Sequence, residues 1–344
     1  MKRIIMLSAI ILLFGSLFVG CSDSSSSEES SLLSQIKERG HINAGINGTL
    51  PGFGYLESNN DFVGFDVDFA HAVAAAVFGD ASKVEFQELT AAERFTAVQT
   101  GNVDLLSRNT TVTTTRDVDL GLNFAPVTFY DGQGMMVHAD SGITSLEDLD
   151  GKRIAVEQGT TTEKNLADVM NELGISYEAV TFDGDDAAVA AYQQKSVDAW
   201  TTDKSGLVAR QSVMQDPSAH KILPETMSKE PLAMGVIGHD EQWYDIVKWV
   251  VNATIQAEEF GMNSQNIDEF LDSDSPRIKS FLGVEGNFGE QLGLPKDFAY
   301  QVIKQVGNYG EIFDRHLGEG GMGLERGYND LYTNGGLLYS PPFN

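Results

Sequence analysis

Residues 62–109, FVGFDVDFAHAVAAAVFGDASKVEFQELTAAERFTAVQTGNVDLLSRN, decide the fold. An extended start passes into an alanine-rich amphipathic run that Gly79 stops, with Asp66 or Asp68 placed to cap its beginning. KVEFQEL then reads as a strand, AAERFTAVQTG as a helix closed by Gly101, and VDLLSRN as a third strand. The first strand is HINAGI, residues 41–46, followed by the turn GTLPGFG. Strand-helix-strand units at this spacing build a parallel sheet with helices against it, an α/β lobe.

The pattern recurs downstream. VTFYDGQGMMV, residues 127–137, carries two glycines between extended pieces and reads as one hinge crossing. In residues 145–174 a strand (Arg153 to Val156) feeds a Gly-Thr turn and then a helix. YEAVTF and VDAWTT flank another helix around Asp186 to Gln194, and the chain returns near Pro231 to Gly238. EQWYDIVKWVVNATIQAEEFG is a long amphipathic helix with Trp243, Ile246, Val247, Val250 and Val251 at helical spacing, so its tryptophans belong to a core. Trp200, beside TTD, is read as core as well. A chain of 344 residues is long enough for two such lobes.

Fifty acids against 23 bases give a net charge of −27, which disfavours nucleic acid and anionic membrane surfaces as partners. Lys2 and Arg3 precede an apolar run from Ile4 to Val19, which reads as a signal peptide over residues 1–20. Leu17-Phe18-Val19-Gly20-Cys21 resembles a bacterial lipobox, making Cys21 the expected lipidated residue and residues 21–32 a flexible serine-rich acidic tether. Cys21 is the one cysteine in the sequence, so an intrachain disulfide and a thiolate metal cluster are both excluded.

Three polar segments carry the chemistry: SRNTTVTTTR (107–116), GTTTE (159–163) and TTDKS (201–205). Together they offer guanidinium and carboxylate groups and many hydroxyls, with Arg116 and Asp203 as the candidate pair. That inventory suits a small zwitterion, because Arg grips a carboxylate bidentately while Asp and hydroxyl oxygens accept from an ammonium. Taken alone, TTVTTT reads better as a half-exposed strand, and Asp203 is equally the N-cap of the helix starting near Lys204. Arg94, next to Glu93, taken alone is a solvated ion pair. Thr160 and Thr161 stand at a helix N-terminus, which favours an anion.

Eight segments, in order, resemble one family, the general amino-acid-binding proteins of polar amino-acid ABC transporters (periplasmic solute-binding family 3). They are GFDVDFAHAVAAAVFGD, ERFTAVQTGNVDLLSRNTT, LGLNFAPVTFYDGQGMMV, QGTTTEKNLAD, TTDKSGL, ILPETMSKEPL, IVKWVVNATIQAEEFG and VGNYGEIF. The resemblance implies a two-lobe, periplasmic-binding-protein-like type II α/β fold with two hinge crossings, closing on its ligand. Lobe 1 would comprise residues 33–132 and 238–344, and lobe 2 residues 133–237. It assigns Arg116 to the ligand α-carboxylate, supported by Asn109 and Thr111, with Thr160 and Thr161 completing that site and Asp203 accepting from the α-ammonium. Arg94 matches an arginine facing the side chain in acidic-amino-acid binders. Asn47 stands where those binders have another arginine, which favours a broad range of polar and acidic amino acids and their amides. Phe53 and Asp185 would line the side-chain end. The implied partners are the ligand, ABC permease subunits and, through Cys21, the membrane. The protein would be a monomeric, lipid-anchored, periplasmic or outer-face binding protein without cofactor or catalysis.

Relatives commonly carry a cysteine pair where this chain has Ala155 and Val197, both apolar and able to bury without unpaired polar groups. Gly318 to Gly323 matches G-x-G-x-x-G but follows a helix-like stretch, so it reads as a loop. The six histidines show no metal-ligand spacing and no nucleophile elbow is present. Two rivals use the same bilobal fold: an arogenate or prephenate dehydratase, with Glu163 or Asp185 as its acid, and a ligand-sensing module of a signalling system.

Overall fold

The computed structural model describes residues 31–343; the expected leader, Cys21 and the tether as far as Ser30 lie outside them. Ser31 and Leu32, counted with the tether, open a helix instead. Ser31 Oγ accepts from Ser34 N–H to cap α1 (Leu32–Arg39), which ends on left-handed Gly40.

β1 (Ile42–Ile46) follows, and then β2 (Thr49–Leu50), β3 (Gly54–Leu56) and β4 (Phe62–Val63) form a small antiparallel sheet. α2 (Phe65–Phe78), β5 (Val84–Glu88), α3 (Arg94–Gln99), β6 (Leu105–Leu106) and β7 (Leu122–Phe124) complete the first stretch. The crossing is β8 (Phe129–Asp131) into β9 (Gln133–His138). Beyond it lie β10 (Arg153–Glu157), α4 (Thr161–Leu173), β11 (Glu178–Phe182), α5 (Asp185–Gln193), β12 (Ala199–Asp203), α6 (Lys204–Ser212) and β13 (His220–Ile222). β14 (Glu230–Leu232) leads back to β15 (Gly235–Ile237) and the long α7 (Glu241–Glu259).

Two five-stranded sheets result. In the first, ordered β5-β1-β6-β15-β7, β1 runs parallel to β5 and β6, and returning β15 is antiparallel to β6 and β7. In the second, ordered β11-β10-β12-β9-β13, β10 is parallel to β11 and β12 while β9 is antiparallel to β12 and β13. The crossings β8 and β14 pair antiparallel with each other, Glu230 opposite Asp131. Gly132 sits between β8 and β9 because a Cβ there would lie 2.5 Å from Thr226 Cγ2 and 2.8 Å from Ser228 O.

Three local expectations change. Gly64, not an aspartate, occupies the N-cap position of α2. Asp66 and Asp68 lie in its first turn and serve other partners: Asp66 accepts from Asn109 N–H at 2.6 Å, and Asp68 meets Arg315 and His316. The helix is also buried nearly all round rather than amphipathic, because α7 and the helices Phe298–Gln305 and Tyr309–His316 cover its far side and its alanines admit close packing. The third strand shrinks to Leu105–Leu106, because the chain then turns through Asn109 at φ 25.

Apolar alternation fixes the second unit. Ile154 and Val156 pack on one face of β10 with Met135 and Leu166. Ala155 packs on the other with Val197, Met136 and Trp200. Ala155 and Val197 are thus buried in one apolar cluster, and Trp200 is core. Trp243 is fully buried, and Trp249 packs edge-on to Phe288 and Phe343. Among the described residues no helix is long and apolar enough to cross a membrane.

Candidate functional site

The site is built where loops at one end of each sheet meet. Past β6 the backbone runs through Arg108, left-handed Asn109, Thr110 and Thr111, and then makes a single π-helical turn, Thr115–Asp119, that carries Arg116. Such backbone departures cost free energy and concentrate at functional sites. Asp66 holds the strained turn by its bond to Asn109 N–H, and Thr111 bridges to Leu232 on the returning strand.

Three arginines from the first unit are buried here: Arg94, Arg108 and Arg116, each at most 6% exposed. The Arg94 and Arg116 guanidiniums lie 4.8 and 5.0 Å from the Phe95 ring centroid, a cation–π arrangement that partly offsets their desolvation. Arg116 donates through Nη1 to Thr111 O at 2.7 Å, and Arg94 through Nη1 to Thr110 Oγ1 at 3.4 Å. Arg94 Nε is buried without a hydrogen-bond partner among the described residues. The expectation of a solvated Arg94–Glu93 pair therefore fails: Glu93 bonds Thr90 instead, and Arg94 turns inward. Asn47 donates to Asn109 Oδ1 at 3.3 Å and accepts from Thr49, which fixes its amide beside the arginines.

The second unit contributes the acids. Asp203 ends β12 and stands at the N-cap position of α6, yet its side chain makes no capping bond. Asp131, from the crossing strand, accepts from Ser205 N–H and Ser205 Oγ and so caps α6 in its place. The Asp203 carboxylate is left buried with no hydrogen-bond partner among the described residues. Asp185 begins α5, and its Oδ1 is likewise buried and unpartnered.

Glu230 joins the halves. Fully buried on β14, it accepts from Thr111 Oγ1 at 2.6 Å, Thr161 Oγ1 at 2.8 Å and Asn165 Nδ2 at 2.7 Å, and also from Ser228 Oγ. Thr160 is occupied locally: its hydroxyl caps α4 by accepting from Glu163 N–H and donates to Glu157 O. Glu163, the acid offered for an enzyme, accepts from Gly159 N–H at 3.0 Å as part of the same turn. Phe53, expected at the side-chain end, is instead a core residue, 5.2 Å edge-to-face from Phe129.

Burial and neighbouring charge shift several of these groups. Burial, and then the neighbouring Arg108 and Arg116 cations, depress Arg94 well below its ordinary value. Burial brings Arg116 down to about 10 against the support of Glu230 and Asp203. Asp203 is raised well above the usual carboxylate range by burial and then by Asp131, Glu230 and Asp185. Burial also lifts Glu157 to about 7, Asp131 to about 6 and Asp66 to about 7, and raises Asp185. A cavity of about 180 Å³ remains between the units, lined by Asn47 and Arg108 on one side and Glu157 and Asp185 on the other.

The structure thus brings together Arg94, Arg108, Arg116, Asn47, Asn109, Thr111, Thr161, Asp185 and Asp203. Arg108, Glu157, Asp131 and Glu230 were not singled out from the sequence. A weak signal existed for Glu230, a lone acid beside the apolar PLAMGVIG. Among the described residues no group of three or more His, Cys, Asp or Glu is arranged to hold a metal ion.

Two α/β lobes joined by two crossings, with buried and partly unpaired opposite charges between them, define a bilobal solute-binding protein. Residues 42–319 match the model of the bacterial extracellular solute-binding proteins, family 3, and the chain belongs to that family. It is 47% identical to the general L-amino acid-binding periplasmic protein AapJ of Rhizobium johnstonii, over 92% of this chain and 94% of the relative. It is 43% identical to the glutamate/glutamine/aspartate/asparagine-binding protein BztA of Rhodobacter capsulatus, over 91% and 93% respectively. Among solved structures, an ABC transporter/periplasmic binding protein from Brucella ovis with glutathione bound superposes with a TM-score of 0.89 at 44% identity, covering 92% of this chain and all of that one.

Proposed function

We propose that this protein captures L-amino acids between its two lobes and delivers them to the transmembrane subunits of an ABC importer; the second lobe begins near residue 133 and ends at the β14 crossing rather than at residue 237, because β15 (Gly235–Ile237) belongs to the first sheet. It works as a monomer, periplasmic or on the outer face of the cytoplasmic membrane, its leader removed and Cys21 lipidated. Arg116, with the Asn109 turn and the backbone N–H groups of Thr111 and Thr161, whose hydroxyls donate to Glu230, takes the α-carboxylate, and Asp203 takes the α-ammonium. One observation carries the reading. Asp203 supports the charge of Arg116 and both are buried, yet the Asp203 carboxylate has no hydrogen-bond partner among the described residues, so a zwitterion laid between them satisfies both. The specificities named for the two relatives, general L-amino acids in one and the acidic amino acids and their amides in the other, support a broad range.

The glutathione in the Brucella ovis structure favours a second reading, in which a γ-glutamyl peptide presents the same α-amino-acid head to the same charges. Calorimetric titration of the protein, unfolded and refolded to strip carried-over ligand, against each L-amino acid and glutathione tests both. Saturable binding of several amino acids supports the first reading, and tighter binding of glutathione than of glutamine would favour the second. Silence across the whole set overturns both.

A further inference from the structure

The cavity beyond the proposed α-group site has a donor wall and an acceptor wall. Arg108 forms the first. Its Nε donates to Leu89 O at 2.7 Å, which anchors the guanidinium, and its Nη2 stands 3.9 Å from Glu157 Oε1, beyond hydrogen-bond reach. Its terminal N–H groups have no hydrogen-bond acceptor among the described residues. Asp185 forms the second wall, at the start of α5, 9% exposed and with Oδ1 unpartnered. Both line the same cavity of about 180 Å³, room for roughly six waters at about 30 Å³ each. Buried polar groups are ordinarily satisfied, so a donor and an acceptor left open on opposite walls specify what fills the gap.

We propose that Arg108 and Asp185 together read the ligand's side chain, Arg108 donating to a terminal carbonyl oxygen and Asp185 accepting from the amide N–H of the same carboxamide. This rests on the amino-acid-binding reading and names its preferred class: amino acids ending in a carboxamide, glutamine and asparagine. A side-chain carboxylate keeps the Arg108 contact but faces Asp185 oxygen to oxygen, so glutamate binds only with a proton between them. An aliphatic side chain leaves both walls open, the costly outcome for buried polar groups.

The test is calorimetric affinity of the refolded full-length protein for glutamine, glutamate and alanine. Arg108→Met should lower the glutamine-to-alanine affinity ratio about 10–100-fold, the worth of a hydrogen bond to a charged group. Asp185→Asn should move the glutamine-to-glutamate ratio toward glutamate by about fivefold or more, because the new amide N–H donates to a carboxylate. Ratios within roughly twofold of wild type in both variants would overturn the proposal. Should Arg108→Met fail to fold, the Asp185→Asn ratio decides alone. Wild-type protein that binds none of the three sinks the parent reading instead, a result separate from unchanged ratios.

Discussion

Thr111 and Thr161, one from each unit, donate to the same carboxylate oxygen: their Oγ1 atoms lie 2.6 and 2.8 Å from Glu230 Oε2 and 3.4 Å from each other. The acceptor sits on the returning strand, where the two units join, so one buried side chain ties both lobes to the crossing. Glu230→Gln replaces an acceptor oxygen by an NH2 that cannot accept from either hydroxyl. The closed arrangement should weaken, and affinity for every amino acid should fall together by about tenfold, the worth of one buried hydrogen bond. Calorimetry on three unlike ligands, with X-ray scattering for a larger radius of gyration, would check it. Unchanged affinities would make the contact incidental.

Arg116 and Arg94 share the Phe95 ring but should behave differently. Arg116→Ala removes the proposed partner of a group common to all ligands and should cost more than about 2 kcal/mol for each alike. Arg94→Ala should instead reorder the ligands. Titrations of glutamate, glutamine and alanine separate the two patterns, and a uniform loss in both variants would remove the distinction.

Much of this was legible because it was local. The alternation of apolar strands and glycine-stopped helices requires no knowledge of partners, and Gly79 does end α2 in the left-handed conformation. What escaped was whatever a distant segment decides. Asp203 looks like a cap in sequence, but Asp131 on the crossing strand takes Ser205 and frees it. Arg94 looks like half of a surface pair until Glu93 is seen to close on Thr90. Glu230 has partners 119 and 69 residues upstream, so the acid beside PLAMGVIG could hint at its burial but not at what it holds. Arg108 stood within a segment read for its threonines and its final arginine.

Proton linkage offers a direct reading of the ammonium site. Burial, and then Asp131, Glu230 and Asp185, hold the Asp203 pKa well above its ordinary 3.8, so the ligand-free cleft keeps a proton there to higher pH than an exposed aspartate does. A ligand ammonium favours the ionised carboxylate and lowers that pKa in the complex. Between the two values, binding releases a proton and affinity rises with pH, becoming flat above the ligand-free pKa. The binding enthalpy of alanine should therefore depend on the ionisation enthalpy of the buffer. Asp203→Asn should abolish that dependence and weaken binding by about 1.5–3 kcal/mol. Equal enthalpies in all buffers would place the ammonium elsewhere.

Asp66 should set part of the protein's stability profile through the turn that it holds. Burial lifts it from 3.8 to about 7, against the opposing effects of the Asn109 N–H and Arg108. An acid with a higher pKa folded than unfolded holds its proton more tightly in the native state. Its stabilising contribution is thus fully present below 3.8 and is lost as pH rises through about 7. Asn in its place keeps an oxygen for Asn109 N–H and cannot ionise. The stability of the ligand-free wild type relative to Asp66→Asn should fall by about 1.4 kcal/mol per pH unit through that window and stay level outside it. Urea titrations at pH values spanning the window measure this difference directly. A constant difference would mean that Asp66 ionises in its ordinary range, and that the strained turn at Asn109 is held by an unprotonated carboxylate.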